Sequence, residues 1–418
     1  MAKRDISRPV AVTGIGILTS LGEGREENWR ALTAGQSGIR RIRRFPIDNL
    51  RTTIAGTVDF LAGGSADTPQ ITAAAARRVV REALAQSGLG RPGDFPGPLF
   101  LAGPPIEHEW PQRRTFAARA GSTAYGAMVA STRLPNEAHE QFLNGFIADR
   151  IAEEFGTRGA PATISTACAS GATVIQLGVE AIRRGEAAAA LAVGADASVQ
   201  PEAIIRFSLL SALSTANEDP ARAAKPFSKN RDGFVMAEGA AALVLEDAEA
   251  ARARGAEILG YVLGCGEAAD NFHRTRSSPD GAPIIRCMRN ALADAGLDPV
   301  AIDYVNAHGT GTPENDKMET LGLQALLGER LASVPVSSNK SMIGHTLTAA
   351  GLVEAGFSML TLRDQLLPPT INYNEPDPAI PLDVVPNRAR AAKVAHILSN
   401  SFGFGGQNTS LVLGLDAA

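Results

Sequence analysis

The sequence predicts an α/β fold built twice over, on three observations. Strand-like apolar runs alternate with long helical patterns along the chain, as expected when helices cover a sheet. The same order of elements recurs in the two halves. And 418 residues with 44% hydrophobic content can bury one large duplicated core or the cores of two domains.

Taken in order, the first half opens with the strand and turn Pro9–Gly16, and the second with Ile258–Gly266. Helix Ile71–Gln86 precedes strand Pro98–Ala102, as helix Pro283–Ala295 precedes strand Ile302–Val305. The run Ile164–Gly171 turns into a helix that begins at Ala172 and ends near Arg184, with strand Ala188–Val193 after it. Its second-half match is strand Ser333–Ser338 followed by a helix that opens at His345 and ends near Arg363. Strands Gly239–Leu245, Val394–Leu398 and Thr409–Leu413 complete the set. The charged, alanine-rich Glu246–Gly255 reads as the exposed end of a helix, which divides the chain into halves 1–255 and 256–418. If a pseudo-twofold relates them, the Cys168 and His345 helices are counterparts and their N-termini meet at the centre.

Composition excludes several classes. A net charge of −4 argues against nucleic acid as a main partner. Cys168, Cys265 and Cys287 form no CxxC pair and no metal-ligand spacing, so no metal site and no disulfide framework is expected, and a reducing cytoplasmic location fits. The N-terminal run Val10–Leu21 is interrupted by Gly14 and Gly16 and reads as a strand and turn rather than a signal peptide. No uninterrupted apolar stretch reaches about 18 residues, so no membrane span is expected. There is no GxxxxGK[ST], and no GxGxxG between a strand and a helix, so no nucleotide cofactor is indicated. The chemistry must come from side chains.

Three residues stand out as its carriers. Cys168 lies where a strand-like run meets a helix, and unpaired N–H groups and the macrodipole at a helix N-terminus favour thiolate. His308, in Val305–Pro313, and His345, in Asn339–Leu347, also fall where strands end and helices begin, the side of an α/β sheet on which ligands bind. Two segments have an open meaning. Ala224–Phe234 is either a surface loop or the wall of a site. Asn400–Asn408, rich in glycine beside two phenylalanines, is either a backbone that approaches a ligand closely or a tight β-turn with core aromatics.

From Val10 to Leu413 the chain resembles the β-ketoacyl-[acyl-carrier-protein] synthases of the thiolase superfamily, especially the synthase II type. The resemblance rests on Thr166-Ala-Cys-Ala-Ser-Gly171, Lys225-Pro-Phe, Arg231-Asp-Gly-Phe-Val235, Asn306-Ala-His-Gly-Thr-Gly-Thr-Pro313, Asn339-Lys-Ser-Met-Ile-Gly-His345, Leu367-Pro-Pro-Thr-Ile-Asn372 and Asn400-Ser-Phe-Gly-Phe-Gly-Gly406. It implies a five-layer α-β-α-β-α fold with duplicated halves, working as a homodimer on substrates carried by the phosphopantetheine of acyl carrier protein, with no other cofactor. It also implies that Cys168 accepts the acyl group, with the N–H groups of Cys168 and Phe404 as oxyanion hole. His308 and His345 would donate to the enolate left by decarboxylation of malonyl-carrier, supported by Lys340 and, behind it, Glu354. Thr310 and Thr312 would bind the pantetheine arm, and Phe404 would gate the two half-reactions.

The chain departs from the family pattern in three places. Thr348 stands where glycine is usual, Ala102–Trp110 replaces a glycine-rich segment bordering the acyl pocket, and Leu61–Ala76 lacks the usual carrier-docking basic residues. Arg40, Arg41, Arg43, Arg44, Arg113 and Arg114 are alternative basic candidates, and a specialised or long acyl chain is a corresponding expectation. A thiolase would have a second catalytic cysteine late in the chain, and a type III synthase Cys-His-Asn; neither pattern fits. A non-catalytic chain-length partner would normally lack the nucleophile.

Overall fold

In the computed structural model, residues 8–61, 67–105, 109–131, 140–141 and 143–417 are described. Ten principal strands form two five-stranded arrays. The first comprises β1 (Val10–Thr19), β2 (Leu99–Ala102), β3 (Ala162–Ile164), β4 (Ala189–Asp196) and β5 (Gly239–Asp247), in the order β3-β2-β4-β5-β1. The second comprises β6 (Gly260–Ala269), β7 (Tyr304–Asn306), β8 (Pro335–Ser337), β9 (His396–Phe402) and β10 (Gln407–Gly414), in the order β8-β7-β9-β10-β6. Numbered within each half, the two orders are identical, so the fold is duplicated. β1 and β6 pair antiparallel from Val10↔Val262 to Val12↔Gly260, which joins the arrays.

The principal helices are α1 (Thr68–Ser87), α2 (Ser170–Arg183), α3 (Pro201–Leu209), α4 (Ala282–Ala295), α5 (Pro313–Leu327) and α6 (Ala350–Asp364). α1 lies on the outer face of the first array, α4 and α5 on the outer face of the second, and α2 and α6 pack against each other between the two. The result is the five-layer α-β-α-β-α arrangement. α6 is apolar along most of its length and buried from Ala350 to Leu362, as a helix between two sheets must be. α1 buries Ile71, Ala75, Ala76, Val79, Val80 and Ala83 and turns its arginines outward, an amphipathic outer-layer helix.

Glycines set the spacing of the layers. A Cβ on Gly14 or Gly16 would lie 2.1 Å from Ala83 O or 2.0 Å from Val79 O of α1. On Gly264 or Gly266 it would lie 2.2 Å from Ala291 O or Ala291 N of α4. These paired glycines let an outer helix settle on its strand. Gly14 and Gly16 are therefore inside a ten-residue strand, not the turn the sequence predicts. The 246–255 segment also differs: β5 runs to Asp247, whose side chain caps the short helix Ala248–Ala253.

Candidate active site

Each predicted site residue lies just past the C-terminal end of a strand, or on the helix that follows. β3 leads through Ala167, at φ 49°, into the 3₁₀ turn Ala167–Ala169 that carries Cys168, and α2 follows. Leu347, at φ 48°, begins the equivalent turn Leu347–Ala349 before α6. Gly171 and Gly351 let the two helix N-termini touch: their Cβ atoms would lie 2.5 Å from Leu352 N and 2.7 Å from Ala172 N. The helices meet at the centre as predicted, but the residue matching Cys168 across the duplication is Thr348. His345 lies three residues earlier, in a bridge to Met236, because Gly344 at φ 78° ends the short helix Lys340–Ile343 and α6 starts only at Ala350.

His345 Nε2 is 3.1 Å from Cys168 Sγ, and the His308 and His345 rings meet edge to face with centroids 5.4 Å apart. The sulfur and one ring nitrogen of each histidine all lie within 4.8 Å of one another, close enough for a single thioester group to touch all three. Lys340 Nζ lies 3.4 Å from His308 Nδ1, donates to His308 O at 2.7 Å, and pairs with Glu354 in the buried interior. Burial, reinforced by the Lys340 charge, holds both histidines well below the ordinary imidazole value, so both are neutral. Leu347 N–H donates to His345 Nδ1 at 3.2 Å, and Lys340 occupies Nδ1 of His308. With Nδ1 accepting in each ring, the ring proton sits on Nε2. Both histidines therefore offer an N–H donor to the site.

Cys168 departs from the expectation of a thiolate. Burial pushes its thiol up to about 11, with nearby Asp196 acting in the same direction. Hydrogen bonds from Phe404 N–H and Cys168 N–H, together with Lys340, recover only part of that. Desolvation outweighs the helix terminus, so the resting group is a thiol with two backbone donors converging on it. Cys265 and Cys287 are buried.

Two cavities meet at the sulfur. One, of about 500 Å³, is lined by both histidines, Thr310 and Thr312, whose hydroxyls are 3.0 Å apart. The other, of about 550 Å³, is mostly apolar and lined by Pro104, Pro105, Ile147, Ala203 and Thr348. Cys168, Phe207, Leu347 and Phe404 border both. Phe404 sits on the β9–β10 hairpin, where a Cβ on Gly406 would lie 1.8 Å from Asp270 O. The glycines thus serve both meanings left open, a tight turn and a close approach to the site.

Of the other segments, Ala224–Phe234 is a wall: Phe234 lines the first cavity and stacks edge-on to His345 at 5.3 Å. Arg44 is engaged by Glu238 and Asp59, and none of the six candidate arginines lines either cavity. In Ala102–Trp110, Pro104, Pro105 and Glu109 line the second cavity, while residues 106–108 lie outside the described residues.

Sequence reasoning missed two buried carboxylates. Glu319 accepts His308 N–H at 2.9 Å, Gly309 N–H at 2.8 Å and Asn400 Nδ2 at 3.1 Å, and burial pushes it up to about 7. Its signal was an acid on the buried face of α5, four residues before Leu323. Asp196 accepts Thr348 N–H at 3.1 Å and the Thr348 Oγ1 hydroxyl at 2.7 Å, so the side chain at this position has a buried partner.

The chain matches the β-ketoacyl synthase N-terminal domain over residues 7–88 and 111–251 and the C-terminal domain over 259–374. It belongs to the β-ketoacyl synthase family. A 3-oxoacyl-[acyl-carrier-protein] synthase 2 of Coxiella burnetii is 37% identical, covering 97% of this chain and 98% of the relative. The tetracenomycin polyketide synthase ketoacyl synthase alpha subunit of Streptomyces glaucescens is also 37% identical, over 98% of each. Among solved structures, a type II polyketide ketosynthase in complex with its acyl-carrier protein and bound to a hexaketide superposes with a TM-score of 0.87 at 30% identity, covering 98% of this chain and 100% of that one. The five-layer architecture is thus the family's fold. No helix among the described residues is long and apolar enough to cross a membrane.

Proposed function

We propose that this β-ketoacyl synthase elongates a carrier-bound acyl chain by two carbons through an acyl-Cys168 intermediate, in fatty-acid synthesis or a specialised relative of it. The observation that carries the reading is a thiol bordered by two cavities, with two neutral Nε2–H donors on one side only. In the first half-reaction Cys168 Sγ attacks the acyl thioester, the oxyanion is held by Cys168 and Phe404 N–H, and the thiol proton leaves on the pantetheine sulfur. The acyl chain then occupies the apolar cavity, and the pantetheine arm lies along Thr310 and Thr312 in the other.

Malonyl-carrier enters next along the same arm cavity. Its carboxylate leaves as CO2, and the electron pair becomes an enolate whose oxygen accepts from His308 and His345 Nε2–H. The enolate carbon attacks the acyl-Cys168 carbonyl, and the Cys168 thiolate departs and takes a proton from water. Lys340, paired with Glu354, is a positioning residue that keeps His308 in the donor tautomer. Phe404, bordering both cavities, gates the exchange between them. No metal or redox group takes part in these steps.

The same reading divides the chain after residue 255 and makes it a homodimer in the cytoplasm. Support for the dimer is β3, which among the described residues is a sheet edge of only partial burial. The test of function is product analysis after mixing protein, acyl-carrier and malonyl-carrier. A 3-oxoacyl-carrier two carbons longer is expected from wild type and none from Cys168→Ala; equal product from both would sink the reading.

A further inference from the structure

The peptide unit that carries the Cys168 N–H has the Ala167 carbonyl at its other end. Because that unit is planar and trans, the two groups point in opposite directions, and whatever holds the carbonyl also aims the N–H. Ser170 holds it. Its hydroxyl donates to Ala167 O at 2.6 Å, and the same oxygen accepts Thr166 N–H at 2.8 Å, so the hydroxyl proton is directed at the carbonyl. Ser170 is fully buried, and no water competes for either bond. The carbonyl belongs to a residue at φ 49°, a left-handed conformation disfavoured for alanine, so its orientation has to be set by its partners.

The second half of the molecule supplies an internal control. Its matching turn begins at Leu347, at φ 48°, and Ala350 stands where Ser170 stands in the first half. In both turns the backbone N–H of that residue donates to the first carbonyl, of Ala167 or of Leu347, so the turn forms without a hydroxyl. What differs is the use of the central N–H. Thr348 N–H is taken by Asp196 at 3.1 Å, which fixes that peptide from its donor end. An N–H that is to receive an oxyanion must keep its donor end open, so the peptide of Cys168 has to be fixed from its carbonyl end.

We infer that Ser170 is a positioning residue for acyl transfer to Cys168: by gripping Ala167 O it keeps Cys168 N–H aimed into the oxyanion hole. The inference rests on the proposed acyl-Cys168 function. Without the hydroxyl, the backbone N–H of residue 170 still reaches Ala167 O, but the peptide is free to rock. Outright loss of an oxyanion donor costs about 100- to 1000-fold in rate, so a misaimed one should cost about tenfold.

The test compares two reactions at Cys168 in the full-length protein and in S170A. Acylation is read by intact mass in single turnover, from an acyl-carrier thioester and from a carrier-free acyl-N-acetylcysteamine thioester. Alkylation by iodoacetamide is read at the same pH. Acylation passes through a tetrahedral oxyanion, whereas alkylation is a displacement at carbon that forms none and needs only access and thiolate. S170A is expected to slow acylation from both thioesters about tenfold and alkylation by less than about threefold. T173V, which removes a neighbouring hydroxyl bonded to Ala169 O at 3.1 Å instead, should leave acylation within about threefold of wild type. Acylation of S170A at the wild-type rate, a loss of acylation and alkylation by one common factor, or an equal loss in T173V would overturn the role of Ser170. Failure of the function would show in the wild type itself, as alkylation of Cys168 with no acylation from either thioester, and would take the role of Ser170 with it.

Discussion

The acyl-accepting role proposed for Cys168 would draw on what surrounds the sulfur, not on a lowered thiol pKa. With the thiol pushed up to about 11, the thiolate fraction rises about tenfold per pH unit between 7 and 10, and the rate of iodoacetamide labelling at Cys168 should follow that slope. A rate that levels off near neutral pH would contradict the buried-thiol description. The histidines behave oppositely: burial lowers their folded-state values, so they are neutral above that lowered range and a pH profile should show no imidazole titration between 6 and 8. Lys340→Ala should leave acylation within about tenfold of wild type and slow condensation at least about 100-fold, because only the second half-reaction needs the His308 donor. Comparing single-turnover acylation with product formation separates the two. Cys168, His308, His345 and Lys340 were legible because their motifs combine rare residue types with strand-to-helix junctions. The proton positions were not, since they depend on Leu347 N–H and Lys340 Nζ reaching Nδ1 across folded space. Glu319 was hidden for a similar reason: its partners are backbone N–H groups ten and eleven residues away.

At the scale of elements, close approach explains what periodicity could not. The apolar period found α1, α4 and the strands to within a few residues, since those patterns are local. It misread Gly14 and Gly16 as a turn, because their purpose is the distance to α1, and it began the His345 helix early, because Gly344 and Leu347 adopt left-handed φ that no periodicity reveals. The contact of α2 with α6 gives a direct prediction. Gly171→Ala would put a methyl 2.5 Å from the backbone nitrogen of Leu352, where no side chain can rotate away. Unfolding in urea should show a loss of about 3 kcal/mol, and catalysis should fall with it as Cys168 shifts. A change below about 0.5 kcal/mol would mean that the helix termini are further apart than described.

For the whole molecule, duplication supplies the site's asymmetry. The two halves carry the same strand order and the same glycine-spaced outer helix, and each enters its central helix through a 3₁₀ turn that starts at positive φ. On that shared frame one turn holds Cys168, the proposed nucleophile, while the matching Thr348 is tied to Asp196 and both histidines come from the second half. The repeat was visible in the sequence as an order of elements, whereas the assignment of Thr348 as the match to Cys168 needed the backbone angles. The partly buried edge that β3 forms among the described residues predicts a particle of twice the 43.6 kDa chain mass in sedimentation velocity at micromolar concentration; a monomer would leave that edge without the proposed partner. The most direct test of the central claim is intact-mass analysis of wild type, Cys168→Ala and His308→Ala with acyl-carrier alone and then with malonyl-carrier. The account predicts an acyl adduct on wild type and His308→Ala, none on Cys168→Ala, and discharge by malonyl-carrier from wild type only. An adduct that persists on Cys168→Ala, or one that His308→Ala discharges as fast as wild type, would contradict it.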